Sequence, residues 1–226
     1  MGKVVNSSRR LDLDEVKAAI AFDQPKLAAA RDGRDIVVRG TYLLFENGAI
    51  ANPAGPITDF EIEIVLSARY PNREPKVFEV GGRIPRCPDR HVNNEGDCCV
   101  TVWENWLVCA EDHSFAAFMN GPLNEFFLGQ YWFDKTGKWP FGERTHGPKG
   151  LEEAYADALG IAHKKKDLIY HLRLLSKDWP KGHWLCPCGS GKPLRHCHRA
   201  QLMALHEIVP PRIAARMLRR LNSHGR

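Results

Sequence analysis

The cysteines are the residues of this 226-residue chain best suited to chemistry, and they are grouped. Cys186, Cys188 and Cys197 stand with His198 in the string CPCGSGKPLRHCH, two close pairs of soft or borderline ligands separated by a glycine-rich turn. Two such pairs let a short chain surround one metal ion tetrahedrally. Gly189 and Gly191 let the backbone fold back so that the pairs can meet, and His196 is a neighbouring alternative to His198. Cys98 and Cys99 stand together behind His91-Val92-Asn93-Asn94-Glu95-Gly96-Asp97. Seven cysteines, an odd number in a chain with no recognisable export signal, point to metal ligation and thiol chemistry and away from a disulfide framework. Cys98 reads as packed inward, and Cys87 and Cys109 as small buried apolar side chains. A metal site built from Cys87, Cys98, Cys99 and Cys109 is disfavoured, because adjacent cysteines are poorly spaced to share one ion.

The elements that must position these groups are legible in outline. Residues 12–30 read as helical, with Leu13, Val16, Ala19, Ile20 and Phe22 on a loosely amphipathic face, Asp14 and Glu15 near the start, and Pro25 as a break or kink. Residues 35–45 are rich in β-branched and aromatic types and read as a strand that ends in a turn at Glu46-Asn47-Gly48. In residues 59–66, Phe60, Ile62 and Ile64 alternate with Glu61, Glu63 and Val65, the period of a sheet with one wet face. Residues 76–80 are a short third strand. From Gly81 to Cys109 no periodicity is sustained, and an irregular stretch of this length in a compact domain is usually functional or disordered; embedded Val92, Val100, Trp103 and Trp106 favour order. Ser114 can cap a helix through Phe115, Phe118, Leu123 and Phe127 that packs on the sheet, with Gly121-Pro122 an irregularity. Helical character resumes over 151–176, and a last helix runs from about Pro211 to Leu221. The expected organisation is a domain over 1–150, a helical extension over 151–178 and a cysteine-rich module with a basic terminal helix over 179–226.

Composition excludes little. A net charge of +5 from 32 basic and 27 acidic residues is too small an excess to read as a nucleic-acid footprint, so no such partner is expected. The arginines of the last stretch, Arg212, Arg216, Arg219, Arg220 and Arg226, read as a solvated basic face. No apolar run approaches the ~20 residues of a membrane span, so a cytoplasmic protein without membrane contact is expected.

The C-terminal string resembles the SEC-C motif, a zinc module found at the ends of many bacterial proteins. That resemblance implies Cys186, Cys188, Cys197 and His198 as ligands of a structural zinc ion, and docking of a partner or target as the module's task. A closed four-ligand site leaves no position for catalysis.

The segment around Cys99 resembles the ubiquitin-conjugating enzymes. Those proteins carry a Tyr-Pro…Pro-Pro hairpin, a His…Asn…Gly-x-x-Cys segment and a following Trp; here stand Tyr70-Pro71-Asn72-Arg73-Glu74-Pro75, His91-Val92-Asn93, Gly96-Asp97-Cys98-Cys99 and Trp106. The resemblance spans roughly residues 10–133. It implies an α+β ubiquitin-conjugating-enzyme-like fold of one helix, an antiparallel meander, an active-site flap and C-terminal helices. It further implies Cys99 as the thioester-forming nucleophile, Asn93 as the amide that steadies the oxyanion, and His91 as the motif histidine. A thiolate accepts an activated acyl group and later surrenders it to an amine. The string is His-Val-Asn where the family usually has His-Pro-Asn, and His91 stands closer to the cysteine than is usual. A flap shortened in this way is familiar from bacterial members in antiphage operons, which attach a ubiquitin-like protein or a cGAS-like nucleotidyltransferase to targets. An activating enzyme would then serve as the donor. Arg144 and His146, in a Gly-Glu-Arg-Thr-His-Gly string, read as a structural loop with approach to the active site as the alternative. A binding module of the same fold without activity, or a zinc-dependent adaptor, are the competing expectations.

Overall fold

A computed structural model describes residues 11–21, 23–46, 55–140, 142, 145 and 147–223. The described residues up to Thr101 and those of Asp112–Glu143 form one compact unit; those of Val102–Glu111 and Arg144–Arg226 form a second.

The first unit is α+β. Helix α1 (Leu13–Ala21) buries Val16 and Ile20. Four strands, β1 (Leu27–Asp32), β2 (Asp35–Leu44), β3 (Thr58–Leu66) and β4 (Lys76–Glu79), follow as an antiparallel meander in the order β1-β2-β3-β4. The register sets Val38 opposite Ile64 and Ile62 opposite Glu79. The side-chain period of two then gathers Ile36, Val38, Tyr42, Leu44, Phe60, Ile62, Ile64, Leu66 and Val77 into the core. On strands β2 and β3, Arg39 pairs with Glu63 and Thr41 donates to Glu61 at exposed positions, as the alternation of Phe60, Ile62 and Ile64 with glutamates predicts.

Ser114 caps the helix that packs on this sheet. Its hydroxyl accepts from the Ala117 amide at 3.1 Å and donates to Asp112 at 2.7 Å. Helix α3 (Phe115–Phe118) runs through a π-helical turn, Met119–Leu123, into α4 (Asn124–Thr136). Pro122 lies inside that turn, where a missing N–H and a bulky ring are accommodated by the wider winding. Phe127, fully buried, lies 4.6 Å from the Phe60 ring and 5.3 Å from Tyr42, and truncating such a side chain costs about 3–5 kcal/mol.

Three expectations are corrected. The helix expected over 12–30 ends at Ala21, and residues 27–32 are strand β1. Pro25 breaks the helix, and pairing with β2 overrides the helical propensity of Ala28-Ala29-Ala30. The stretch from Gly81 to Cys109 holds regular structure: a 3₁₀ turn at Pro88–Arg90, a small hairpin, and helix α2 (Trp103–Cys109). The helix expected over 151–176 is two, α5 (Gly147–Leu159) and α6 (Lys165–Leu175), parted at Gly160 with φ +59°.

The second unit packs α2, α5, α6, α7 (Arg199–Ile208) and α8 (Pro211–Ser223) around Trp103, Leu107, Tyr155, Leu172 and Met217. Among the described residues no helix is long and apolar enough to cross a membrane.

Candidate functional site

The hairpin that carries Cys99 is built from its turn outward. The Asn93 amide donates to the Asp97 carbonyl at 2.9 Å, and the Gly96 amide donates to the Asn93 carbonyl at 2.8 Å. These bonds close a three-residue loop, and the glycine supplies the left-handed conformation such a loop demands, φ +90°. A Cβ on Gly96 would also press on the Arg86 guanidinium at 3.2 Å. Val92 pairs with Cys98 below the turn, and the Cys99 amide donates to the His91 carbonyl at 2.7 Å.

The cysteine strand is tied to the sheet edge as well. Asp97 pairs with Phe78, and the Cys98 amide donates to the Val77 carbonyl at 2.7 Å. Strand β4 therefore anchors the segment at Asp97 and Cys98, immediately before the exposed thiol. Alternation across the hairpin puts Val92 and Cys98 on its buried side, while Asn93 and Cys99 are exposed. Burial pushes the Cys98 thiol up to about 12, which keeps it protonated and unreactive at neutral pH. Two consecutive cysteines are thus given opposite chemistry: one packed and inert, one at the surface.

Asn93 and His91 share this hairpin with Cys99. The Asn93 side-chain amide donates to the Asp97 carboxylate at 2.9 Å, which orients it at the turn. His91 is the only non-glycine with positive φ among the described residues, at φ 53° and ψ 37°, and its ring meets Trp139 edge-on at 5.1 Å. Tyr70, buried and joined to Pro71 by a cis peptide, donates to the Ser114 carbonyl at 3.0 Å. Trp106 lies on α2 beside Trp103, ring centroids 4.6 Å apart. Arg144 and His146 lie outside the described residues. Cys87 is half-buried and Cys109 is exposed, hydrogen-bonded to Asn105 at 3.0 Å, so neither is the fully buried apolar residue expected.

The second cluster lies at the start of α7. Leu185 bridges to Pro193, and the Cys186 amide donates to the Lys192 carbonyl at 2.9 Å. This folds CPCGSGKP into a tight loop whose Gly189 and Gly191 both take positive φ, +77° and +71°. A 3₁₀ turn at Leu194–His196 delivers Cys197, and His198 is the N-cap of α7. The metal-binding atoms of Cys186, Cys188, Cys197 and His198 all lie within 4.8 Å of one another. The Cys197 sulfur is 3.6 Å from that of Cys188 and 3.3 Å from His198 Nδ1, which is also 3.3 Å from the Cys186 sulfur. A tetrahedron with metal–sulfur bonds of ~2.3 Å has edges of about 3.8 Å, so one ion fits among these atoms. His196 is turned to Arg195, whose Nε donates to it at 3.0 Å. Hydrogen bonds from Ser190 hold the Cys188 thiol down to about 6, so a thiolate, the form that binds metal, is readily available.

Residues 185–200 match the SEC-C motif. The SEC-C segment thus contains all four clustered side chains together with the loop and turn that bring them together. No curated protein and no solved structure matches the chain.

One charged cluster escaped the sequence reading. Glu104 on α2 is 1% exposed, yet Arg216 Nε and Arg220 Nη1 donate to its two oxygens at 2.5 and 2.9 Å, and the Tyr155 hydroxyl donates at 2.8 Å. Arg216 and Arg220 therefore serve an internal ion cluster, which corrects the reading of that stretch as a solvated basic face. The signal in sequence was their four-residue spacing, which aligns them on one helix face.

Proposed function

We propose that this chain is a ubiquitin-conjugating-enzyme-like transferase that carries an acyl group as a thioester on Cys99, with a structural zinc ion in its SEC-C segment. The observation that carries the reading is the exposed Cys99 at the foot of a hairpin that buries its neighbour Cys98. The α+β unit with its antiparallel meander supports the same reading. The acyl donor is the C-terminus of a ubiquitin-like protein or of a cGAS-like nucleotidyltransferase, delivered by an activating enzyme, and the setting is bacterial antiphage defence in the cytoplasm.

The chemistry is two acyl transfers. The Cys99 thiolate attacks the carbonyl carbon of the donor thioester, a carbon–sulfur bond forms, and the activating enzyme's thiolate leaves. A target amine then attacks the Cys99 thioester, an amide bond forms, the amine loses a proton, and the Cys99 thiolate leaves. In each step the carbonyl oxygen becomes an oxyanion, and in this reading, by resemblance to the family's asparagine, the Asn93 amide turns from the Asp97 carboxylate to donate to it. Zinc, when bound by Cys186, Cys188, Cys197 and His198, supplies folding energy to the SEC-C segment, which docks the partner or target.

The test uses the protein, its candidate partner, the cognate activating enzyme and ATP, resolved on gels with and without reductant. The wild type forms a reductant-sensitive adduct, Cys98→Ala keeps it, Cys99→Ala lacks it, and Cys99→Ser gives a reductant-stable ester. Asn93→Ala forms the same adduct but loads and transfers about 10²-fold more slowly, the usual loss for one oxyanion donor. Partner binding that survives Cys99→Ala, with no adduct in the wild type, replaces this reading with a non-catalytic binding module.

A further inference from the structure

Between Cys87 and Cys99 the chain makes one unusual choice: it places a histidine, not a glycine, in the left-handed region. His91 ends the 3₁₀ turn Pro88–Arg90, its amide donating to the Pro88 carbonyl at 2.9 Å while the Val92 amide donates to the Cys87 carbonyl at 3.2 Å. The reversal turns the His91 carbonyl toward the Cys99 amide, 2.7 Å away. A side chain is disfavoured in that conformation, so something adjacent must hold it there.

That something is Arg90. It is 9% exposed and is gripped by α4 on both its side chain and its main chain. Its Nε donates to the Gln130 carbonyl oxygen Oε1 at 2.8 Å, and Gln130 Nε2 donates back to the Arg90 main-chain carbonyl at 2.8 Å. Its Nη2 donates to Asp134 at 2.6 Å, and its guanidinium lies over the Phe133 ring at 4.8 Å. Gln130 is fully buried, so it has no water to compete for this exchange. Trp139 closes the other side, tilted against Phe133 with ring centroids 4.8 Å apart and edge-on to His91. It packs closely against Gly129, where an added Cβ would meet it at 3.3 Å.

We propose that Arg90 is a positioning residue for Cys99: with Gln130 and Asp134 it locks the main chain of His91 in the conformation that receives the Cys99 amide. The motif histidine then contributes through its backbone conformation, and α4 is the template against which the nucleophile is registered. This inference rests on the transferase reading for its purpose but not for its test. A planar fork is required to reach Gln130 and Asp134 together, which lysine cannot do.

Amide exchange of Cys99, followed by NMR on ¹⁵N-cysteine and ¹⁵N-isoleucine-labelled full-length protein, reads the lock directly. Arg90→Lys is expected to speed Cys99 exchange about tenfold or more while Ile64 in β3 changes by less than about twofold. Adding His91→Gly to Arg90→Lys is expected to bring Cys99 exchange back toward the wild-type rate, because glycine accepts the left-handed region without a lock, whereas adding His91→Ala is not. If Arg90→Lys fails to fold, Gln130→Glu, which keeps the acceptor for Arg90 Nε and removes the donor to its carbonyl, takes its place with the same expectation. Unchanged Cys99 exchange in the Arg90 or Gln130 variant, or no slowing when His91→Gly is added to Arg90→Lys, overturns the proposal. A wild-type protein that never forms a thioester sinks the transferase reading and leaves the exchange result to decide this one. Loading as fast in Arg90→Lys as in wild type, despite faster exchange, overturns the positioning role alone.

Discussion

Cys98 and Cys99 share a peptide bond and point to opposite environments, Cys98 at 8% exposure and Cys99 at the surface. The hairpin pairing of Val92 with Cys98 and the tie from Cys98 to Val77 enforce this. Iodoacetamide mapped by mass spectrometry at pH 7.5–8, on ~1 h exposure, is expected to label Cys99 and spare Cys98 until denaturant is added. Equal labelling of both in the folded protein contradicts the arrangement.

The same burial sets an alkaline limit. Burial raises the Cys98 thiol to about 12 and pushes the hydroxyls of Tyr42, Tyr70 and Tyr155 upward as well. Each of these groups is neutral when protonated and ionises more readily in the unfolded chain. Their stability contribution is complete below the unfolded values, about 8.5 for Cys and 10 for Tyr, and is lost as pH rises toward the folded ones. Urea midpoints are expected to fall between pH 9 and 12, as the unfolding free energy drops by about 1.4 kcal/mol per pH unit for each group in its window. Replacing Cys98 with Ala should flatten the first part of that decline.

Glu104 sets the acid limit of the helical unit. Burial works to raise its carboxyl, but Arg220, Arg216 and the Tyr155 hydroxyl together hold it below the ordinary value. A depressed carboxyl stabilises above the unfolded value of about 4.3, and that stability is lost as pH falls through the folded one. Glu104→Gln is expected to cost about 2–4 kcal/mol at pH 7, because two guanidinia lose their counter-charge in a buried setting, and to lessen the acid sensitivity of the helical unit. Thermal scans at pH 7 and pH 4 check both halves; a variant as stable as wild type at pH 7 refutes the cluster's role.

What the sequence disclosed and what it hid follow from the range of the interactions involved. Strands β2 and β3 were legible because Phe60, Ile62 and Ile64 against Glu61 and Glu63 is a local pattern. The Cys186, Cys188, Cys197 and His198 cluster was legible because its ligands and its turn glycines lie in one short string. Strand β1 was not, because Leu27-Ala-Ala-Ala-Arg-Asp has helical propensity and becomes a strand only through pairing with β2. The roles of Arg90 and Glu104 were hidden for the same reason: their partners stand 40 or more positions away in the chain.

Metal removal separates the SEC-C segment from the sheet. Four ligands and a loop of two glycines leave this segment little apolar core of its own. The purified protein is expected to contain about one zinc per chain. A strong chelator should then expose Cys186, Cys188 and Cys197 to alkylation, with the thermal transition of the α+β unit largely kept. Cys188→Ser should reproduce the effect without chelator. Cysteines that stay protected after complete metal loss refute the structural role.

Two glycines of the meander differ in what a side chain there would cost. Gly33 closes the β1–β2 turn at φ +58°, and a Cβ there would meet nothing within 4 Å, so Gly33→Ala carries only the conformational cost of the left-handed region, about 1–2 kcal/mol. Gly40, opposite Leu27, has φ +132°, and a Cβ there would overlap the Lys26 carbonyl oxygen. That obstacle is backbone and cannot rotate away; relieving it means unpairing the start of β1. Gly40→Ala is expected to cost about 3 kcal/mol or more. Denaturant melts of the two variants against wild type check the order, and a Gly40 variant no worse than the Gly33 variant means that Lys26 and β2 do not approach as closely as described.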